Sequence, residues 1–134
     1  MLHKSQGILE YSDYQNDIGF KLIVKIDPEI SVFYRSLIPK YFCVKPQMYA
    51  PHISVVRKEH DLNMDYWKRY EGLSVNFEYD NYVHHDEVYW WLNVFSKDLE
   101  RIRVQLGLPV SSPYTRPPDG FDKAFHITLG NCKK

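Results

Sequence analysis

The sequence has few cysteines, no long hydrophobic run and no net charge. Its two cysteines are too few for a disulfide framework and lack metal-ligand spacing, so we expect reduced thiols in a cytoplasmic protein, although a Cys43–Cys132 bridge stays open. No stretch approaches the about 18 apolar residues of a membrane-spanning helix, and no export signal is visible. Because 17 basic residues balance 17 acidic ones, we expect no affinity for membranes or duplex nucleic acid. Local groups must hold any anionic ligand.

What the chain does have is enough apolar material for one core. It contains 44% apolar and 16% aromatic residues in 134 positions, a length that favours one domain spanning residues 1–134. Apolar alternation predicts strands at residues 18–26, 49–56, 73–79, 87–95 and 124–129, with a hairpin between the third and fourth. Asp27 followed by Pro28 predicts a helix that Pro39 ends, and Ser96 predicts the start of a helix over 97–106. A short helix at 61–70 and a long irregular loop over 108–122 complete an α+β chain.

One pattern occurs twice: a helix, a proline-containing loop, and then His-x-Ser/Thr inside an apolar strand. The copies are His52-Ile53-Ser54 and His126-Ile127-Thr128. Side chains two residues apart on a strand share a face, so each histidine lies beside a hydroxyl while the isoleucine between them faces the core. If the repeat reflects pseudo-two-fold symmetry, the two strands lie side by side or across a cleft, and all four polar groups converge.

Two imidazoles and two hydroxyls suit the cleavage of a phosphodiester. A neutral histidine can take the proton of the attacking oxygen, and a protonated histidine can give one to the leaving oxygen. Ser54 and Thr128 can donate hydrogen bonds to the non-bridging phosphate oxygens. His52, Ser54, His126 and Thr128 are therefore the candidate catalytic residues, and the chemistry needs no metal or cofactor. The sequence leaves open which histidine is the acid.

At these residues the chain resembles the 2H phosphoesterase superfamily, whose members carry two histidine, any residue, Ser/Thr motifs. The resemblance implies a two-lobed, pseudo-symmetric α+β fold, with antiparallel sheets around a central cleft and helices outside. It also implies metal-independent hydrolysis of phosphodiesters or 2',3'-cyclic phosphates. The stretch 91–108 and the sequence FHITLGN are most similar to phage anti-CBASS phosphodiesterases, which destroy the cyclic oligonucleotide signals of bacterial antiviral defence.

That narrower resemblance implies viral immune evasion in the host cytoplasm, by cleavage of the 3'-5' bonds of cyclic di- or trinucleotides. Two alternatives are an RNA 2',3'-cyclic phosphodiesterase or RNA-processing enzyme of the same superfamily, and a catalytically silent nucleotide-binding domain. Some relatives use a C-terminal segment as a lid. Here the chain ends soon after His126, so a lid would come from residues 111–122 or 11–14.

Aromatic and basic residues near the two motifs are candidates for substrate binding. Tyr49, Tyr114 and Phe125 could stack on a base, since stacking is worth about 1–3 kcal/mol per base. Arg57 and Arg116, with the neighbouring Lys58 and Lys123, are placed to meet phosphates.

The main competing motif is the run of residues 84–87, His-His-Asp-Glu, which invites a metal-dependent hydrolase interpretation. Adjacent residues on a strand point to opposite faces, so a solvated turn is the favoured interpretation. By the same reasoning only one of Trp90 and Trp91 can face inward. The charged side chains over residues 97–103 are interpreted as a solvated helix face.

Overall fold

The computed structural model describes residues 2–13, 19–111 and 124–133. In this part of the chain the fold is α+β, as the sequence predicts, and it contains a single-turn 3₁₀ helix at Lys40–Phe42. The strands are β1 (Leu2–Ser12), β2 (Phe20–Lys25), β3 (His52–Glu59), β4 (Ser74–Asp80), β5 (His84–His85), β6 (Tyr89–Phe95) and β7 (Phe125–Asn131). The helices are α1 (Pro28–Ser36) and α2 (Lys97–Gln105).

The strands form one antiparallel sheet in the order β4-β1-β2-β3-β7-β6-β5. A further pairing of Glu78 with Phe95 and of Tyr79 with Val94 joins β4 to β6 and closes the sheet into a barrel. Strands β3 and β7, which carry the two His-x-Ser/Thr motifs, are neighbours in the middle of the sheet.

Alternation along each strand separates a core face from a polar face. The isoleucines of the two motifs, Ile53 and Ile127, are fully buried, as the sequence predicts. Leu99 and Ile102 of α2 join the same core. The polar residues of β3 and β7 therefore lie on the opposite face of the sheet.

Both helices begin where the sequence predicts. The Asp27 carboxylate accepts a hydrogen bond from the Glu29 amide (3.0 Å), and the Ser96 hydroxyl accepts one from the Leu99 amide (3.2 Å). In the ranges described, no helix is long and apolar enough to cross a membrane.

Three predictions about elements are wrong. Residues 61–70 form successive turns rather than a helix, with Asp61 and Lys68 at positive φ. The strand predicted at 49–56 begins only at His52, since Pro51 cannot donate a ladder hydrogen bond. The predicted hairpin makes only two β4–β6 pairs, because β4 pairs along its length with β1, a strand that the periodicity does not indicate.

Arg103 corrects the interpretation of α2 as a solvated face. Its side chain is completely buried and forms a bidentate ion pair with Glu59, at 2.7 and 2.9 Å. It also donates to the carbonyl oxygens of Val55, Pro109 and Ser111. Arg103 thus ties α2 to strand β3 and to the start of the segment that follows the helix.

Candidate active site

The two His-x-Ser/Thr motifs meet where β3 pairs with β7. Ile53 is the antiparallel partner of Ile127, so the central residues of the two motifs lie opposite each other. One step away on either side, antiparallel geometry brings His52 beside Thr128 and Ser54 beside His126. His52 and His126 are then diagonal neighbours, as are Ser54 and Thr128, and diagonal positions are about 7–8 Å apart. The pairing brings both histidines and both hydroxyls to one region of the polar face.

All four of these residues line one open cleft. Its floor is the polar face of β3, β7 and β6, and one wall is the α1 face that carries Ser31 and Arg35. Arg35 fixes that wall to the sheet by donating to the Leu129 carbonyl oxygen (3.0 Å). The loop before β3 supplies part of the rim, including Tyr49.

The main chain holds the His52 imidazole in a defined orientation. Nδ1 of His52 lies 2.9 Å from the carbonyl oxygen of Ala50. A carbonyl oxygen can only accept, so Nδ1 carries a proton and donates it. Nε2 is then the nitrogen that can exchange a proton with a ligand.

His126 is in a different environment, since it lies between two neighbouring strands. Burial, together with the smaller effects of the nearby charges of His52 and Arg57, lowers the pKa of His126 to about 4. The imidazole of His126 is therefore neutral at physiological pH in the ligand-free cleft.

A β-bulge turns Arg57 toward the cleft. Leu22 pairs with Val56 whereas the next residue, Ile23, pairs with Ser54, so Val55 is an extra residue on β3. Val55 and Val56 are consequently both buried, and the alternation changes phase after them. Without the bulge Arg57 would face away from Ser54; with it, both line the cleft.

The cleft is locally basic although the chain is neutral. The residues that line it in the described ranges include five basic side chains and one carboxylate, that of Asp86. These are Lys21, Arg35, Arg57, Lys58 and Lys133. This arrangement provides the local cationic groups that the neutral composition requires for an anionic ligand.

Of the remaining predicted substrate-binding residues, one lies at the cleft and one lies in the core. Tyr49 lies on the rim, 73% exposed, with the Lys21 ammonium 5.8 Å from its ring centre. Phe125 is a correction: it precedes the cleft-facing His126 on the strand, so its ring faces the core and is completely buried. Tyr114, Arg116 and Lys123 lie outside the described residues.

The first of the two candidate lids, residues 11–14, starts with a residue that is packed in the core. The Tyr11 ring is buried and meets Trp67 edge-on, with centroids 4.9 Å apart. Tyr14 lies outside the described residues, as does the candidate lid at 111–122 beyond Ser111.

The competing run at 84–87 is divided between a strand and a turn. In the ranges described there is no cluster of three or more His, Cys, Asp or Glu residues placed to hold a metal ion. Asp86 accepts from the amides of Val88 and Tyr89 at 2.8 and 2.7 Å, as in a turn. His85 stacks on Trp90, which is the buried member of the tryptophan pair.

Two cleft residues on β6 are absent from the sequence-based site. Trp91 pairs with Thr128, and Asn93 pairs with His126. Both line the cleft, although Asn93 is only 2% exposed. Their i, i+2 spacing is that of the two motifs, and this spacing was the available signal; the pairing of β6 with β7 then adds them to the floor.

Comparisons of the chain with protein-family models, with curated proteins and with solved structures give no match. The interpretation of the cleft therefore depends on its own geometry and charge.

Proposed function

We propose that the protein is a metal-independent phosphodiesterase of the 2H type. The observation that carries this proposal is the antiparallel pairing of Ile53 with Ile127, which brings each histidine beside the hydroxyl of the other motif. In this proposal β2–α1–β3 and β6–α2–β7 are the two pseudo-symmetric lobes, and the β3–β7 pair is the line on which they meet.

The two histidine environments support an assignment of acid and base. His126 is the general base, because its ring is neutral at physiological pH and therefore has a free lone pair for the proton of the attacking oxygen. As the attacking oxygen bonds to phosphorus, its proton passes to His126. The bond between phosphorus and the leaving oxygen breaks, and protonated His52 donates a proton to that oxygen.

Ser54 and Thr128 bind the phosphate during this exchange. Each hydroxyl lies beside the histidine of the opposite motif, so both can donate to the non-bridging oxygens while the imidazoles reach the attacking and leaving oxygens. Arg57, which the bulge turns toward the cleft, adds a positive charge near His126. These groups stabilise the charge that builds on the phosphate oxygens.

We propose cyclic di- and trinucleotides as the substrates, opened at a 3'-5' bond to linear products. A compact polyanion fits a basic cleft in a neutral protein, and exposed Tyr49 offers a face for a base. Destruction of such signals would serve viral evasion of CBASS immunity in the host cytoplasm.

The test is a screen of the purified protein against cyclic dinucleotides, cyclic trinucleotides and RNA ending in a 2',3'-cyclic phosphate, each assayed both with and without EDTA. We expect opening of the cyclic oligonucleotides. His52→Ala and His126→Ala should each remove nearly all turnover, and Ser54→Ala and Thr128→Ala should each lower kcat by roughly 10- to 1000-fold. His3→Ala, on strand β1, is the matched histidine control.

Three results would replace the proposal. Turnover of the 2',3'-cyclic phosphate RNA alone indicates an RNA-processing enzyme. Binding without turnover indicates a silent nucleotide-binding domain. Turnover that survives both histidine substitutions and stops in EDTA indicates a metal-dependent hydrolase centred on His84 or His85.

A further inference from the structure

The β5 end of the cleft carries an aromatic cluster that the proposed reaction does not use. The cluster consists of Tyr82, His84 and Trp91, and all three line the cleft. His84 and Trp91 are cross-strand partners whose rings lie nearly parallel, 6.2 Å apart and inclined by 23°. Tyr82 meets His84 edge-on at 4.8 Å. Because Trp91 also pairs with Thr128, the cluster begins next to a proposed phosphate ligand.

Asp80 determines the proton position on His84. Its Oδ2 lies 2.9 Å from Nε2 of His84, and a carboxylate accepts, so Nε2 carries the proton. The same carboxylate accepts from the amide (3.2 Å) and side-chain nitrogen (3.4 Å) of Asn93, which fixes it to β6. When the ring is neutral, Nδ1 of His84 is then an acceptor, and within the described ranges it makes no hydrogen bond.

We propose that the aromatic cluster binds the base next to the scissile phosphate, and that this base is a purine with an exocyclic amino group. The inference rests on the proposed function. The indole of Trp91 stacks on the base, which favours the larger purine ring. Nδ1 of His84 accepts a hydrogen bond from the amino group and determines specificity, and Asp80 is the residue that positions His84.

Asp80→Asn separates this positioning role from a merely structural one. The amide oxygen can still accept from the Asn93 main-chain amide, so that contact with β6 is kept, whereas the longer contact from the Asn93 side-chain nitrogen is lost. The amide nitrogen, however, donates to Nε2 of His84, which moves the imidazole proton to Nδ1. The acceptor then becomes a donor while the stack of rings is unchanged.

The test is a set of equilibrium titrations with AMP, purine riboside 5'-monophosphate and ribose 5-phosphate, followed by NMR. Wild-type protein should bind AMP about fivefold more tightly than purine riboside monophosphate, which lacks the amino group. It should bind purine riboside monophosphate about tenfold more tightly than ribose 5-phosphate, which lacks the base. Trp91→Leu should remove the second preference, and His84→Phe and Asp80→Asn only the first.

His3→Phe is the matched control, because His3 also stacks on an aromatic ring, that of Tyr79, but lies on β1. It should change neither preference. The inference is overturned if folded Trp91→Leu keeps the base preference, or if His84→Phe and Asp80→Asn both keep the amino preference. Should Trp91→Leu unfold, Trp91→Phe, with its smaller face, should show a reduced base preference.

These titrations require no turnover, so the two proposals can fail separately. Absence of phosphodiester cleavage with the expected preferences would overturn the proposed function alone. Cleavage by a protein that shows no base or amino preference would overturn the base site alone.

Discussion

His52 and His126 lie in one cleft but differ in what surrounds each ring. His52 is the first residue of β3 and is oriented by a main-chain carbonyl, whereas His126 lies within β7 between two strands. A pair of titrating groups in different environments is what acid–base catalysis needs, because the two roles require opposite protonation states. The sequence shows two equivalent motifs; the fold makes them unequal.

At the residue scale we predict that His126 makes the fold sensitive to acid. Its pKa falls from 6.5 to about 4 on folding, so the unfolded chain binds the proton more readily. Stability conferred by the neutral ring is therefore present above pH 6.5 and lost as pH falls toward 4, by up to about 3 kcal/mol. Urea unfolding at pH 7 and pH 4.5 should show a smaller loss in His126→Gln than in wild type.

Carboxylates with lowered pKa, such as Asp13 and Asp86, also lose stabilising charge in acid. They do so in both proteins, so the difference between wild type and variant isolates His126. His3→Gln should retain the wild-type loss. Equal acid losses in His126→Gln and wild type would contradict a lowered pKa for His126 in the folded protein.

At the element scale, the sequence predicts helix starts and strand faces but not which strands pair. The helix starts at Asp27 and Ser96 and the face of each His-x-Ser/Thr motif follow from short-range geometry. Strand β1 is not predicted because residue polarity does not follow burial near Gly7. Gly7 is buried against β2, whereas the apolar Ile8 is exposed.

Arg57 lies near the two motifs, as predicted, but for a different reason. Its closeness to His52 in the sequence suggested a phosphate contact, but plain alternation would have turned it away from Ser54. The bulge at Val55 corrects this, and the bulge depends on the register between β2 and β3. Phe125 was misplaced for the converse reason, since alternation was not applied to it.

We predict that the packing of α2 on β3 depends on Arg103. Arg103→Met leaves the Glu59 carboxylate, whose side chain is only 10% exposed, without its counter-ion. Three carbonyl oxygens lose their donor as well. We expect a loss of about 3–5 kcal/mol in the free energy of unfolding, measured in urea.

Arg101→Met is the matched control on the same helix. Its ion pair with Asp98 is exposed, so its loss should cost less than about 1 kcal/mol. Arg103→Lys should not rescue the fold, because an ammonium cannot bind Glu59 in the bidentate manner. Comparable losses in the Arg101 and Arg103 variants would contradict the structural role of Arg103.

At the scale of the whole molecule, the distribution of charge matters more than its sum. The described cleft lining has five basic residues and one acidic residue, and the chain is neutral, so the remainder of the chain has an acidic excess. A short anion in the cleft meets positive charge. A long polyanion that extends beyond the cleft meets the acidic remainder.

We therefore predict selection by size. Cyclic di- and trinucleotides should be cleaved with far higher kcat/KM than long structured RNA. The plot of log kcat/KM against log salt concentration should have a slope no steeper than about −2, since at most three phosphates are engaged and each contributes about −0.7. Initial rates at several salt concentrations between 50 and 300 mM, roughly the range over which such contacts weaken, give the slope. Comparable cleavage of long RNA with a much steeper slope would mean that positive charge outside the cleft binds the substrate, and would favour an RNA-processing enzyme instead.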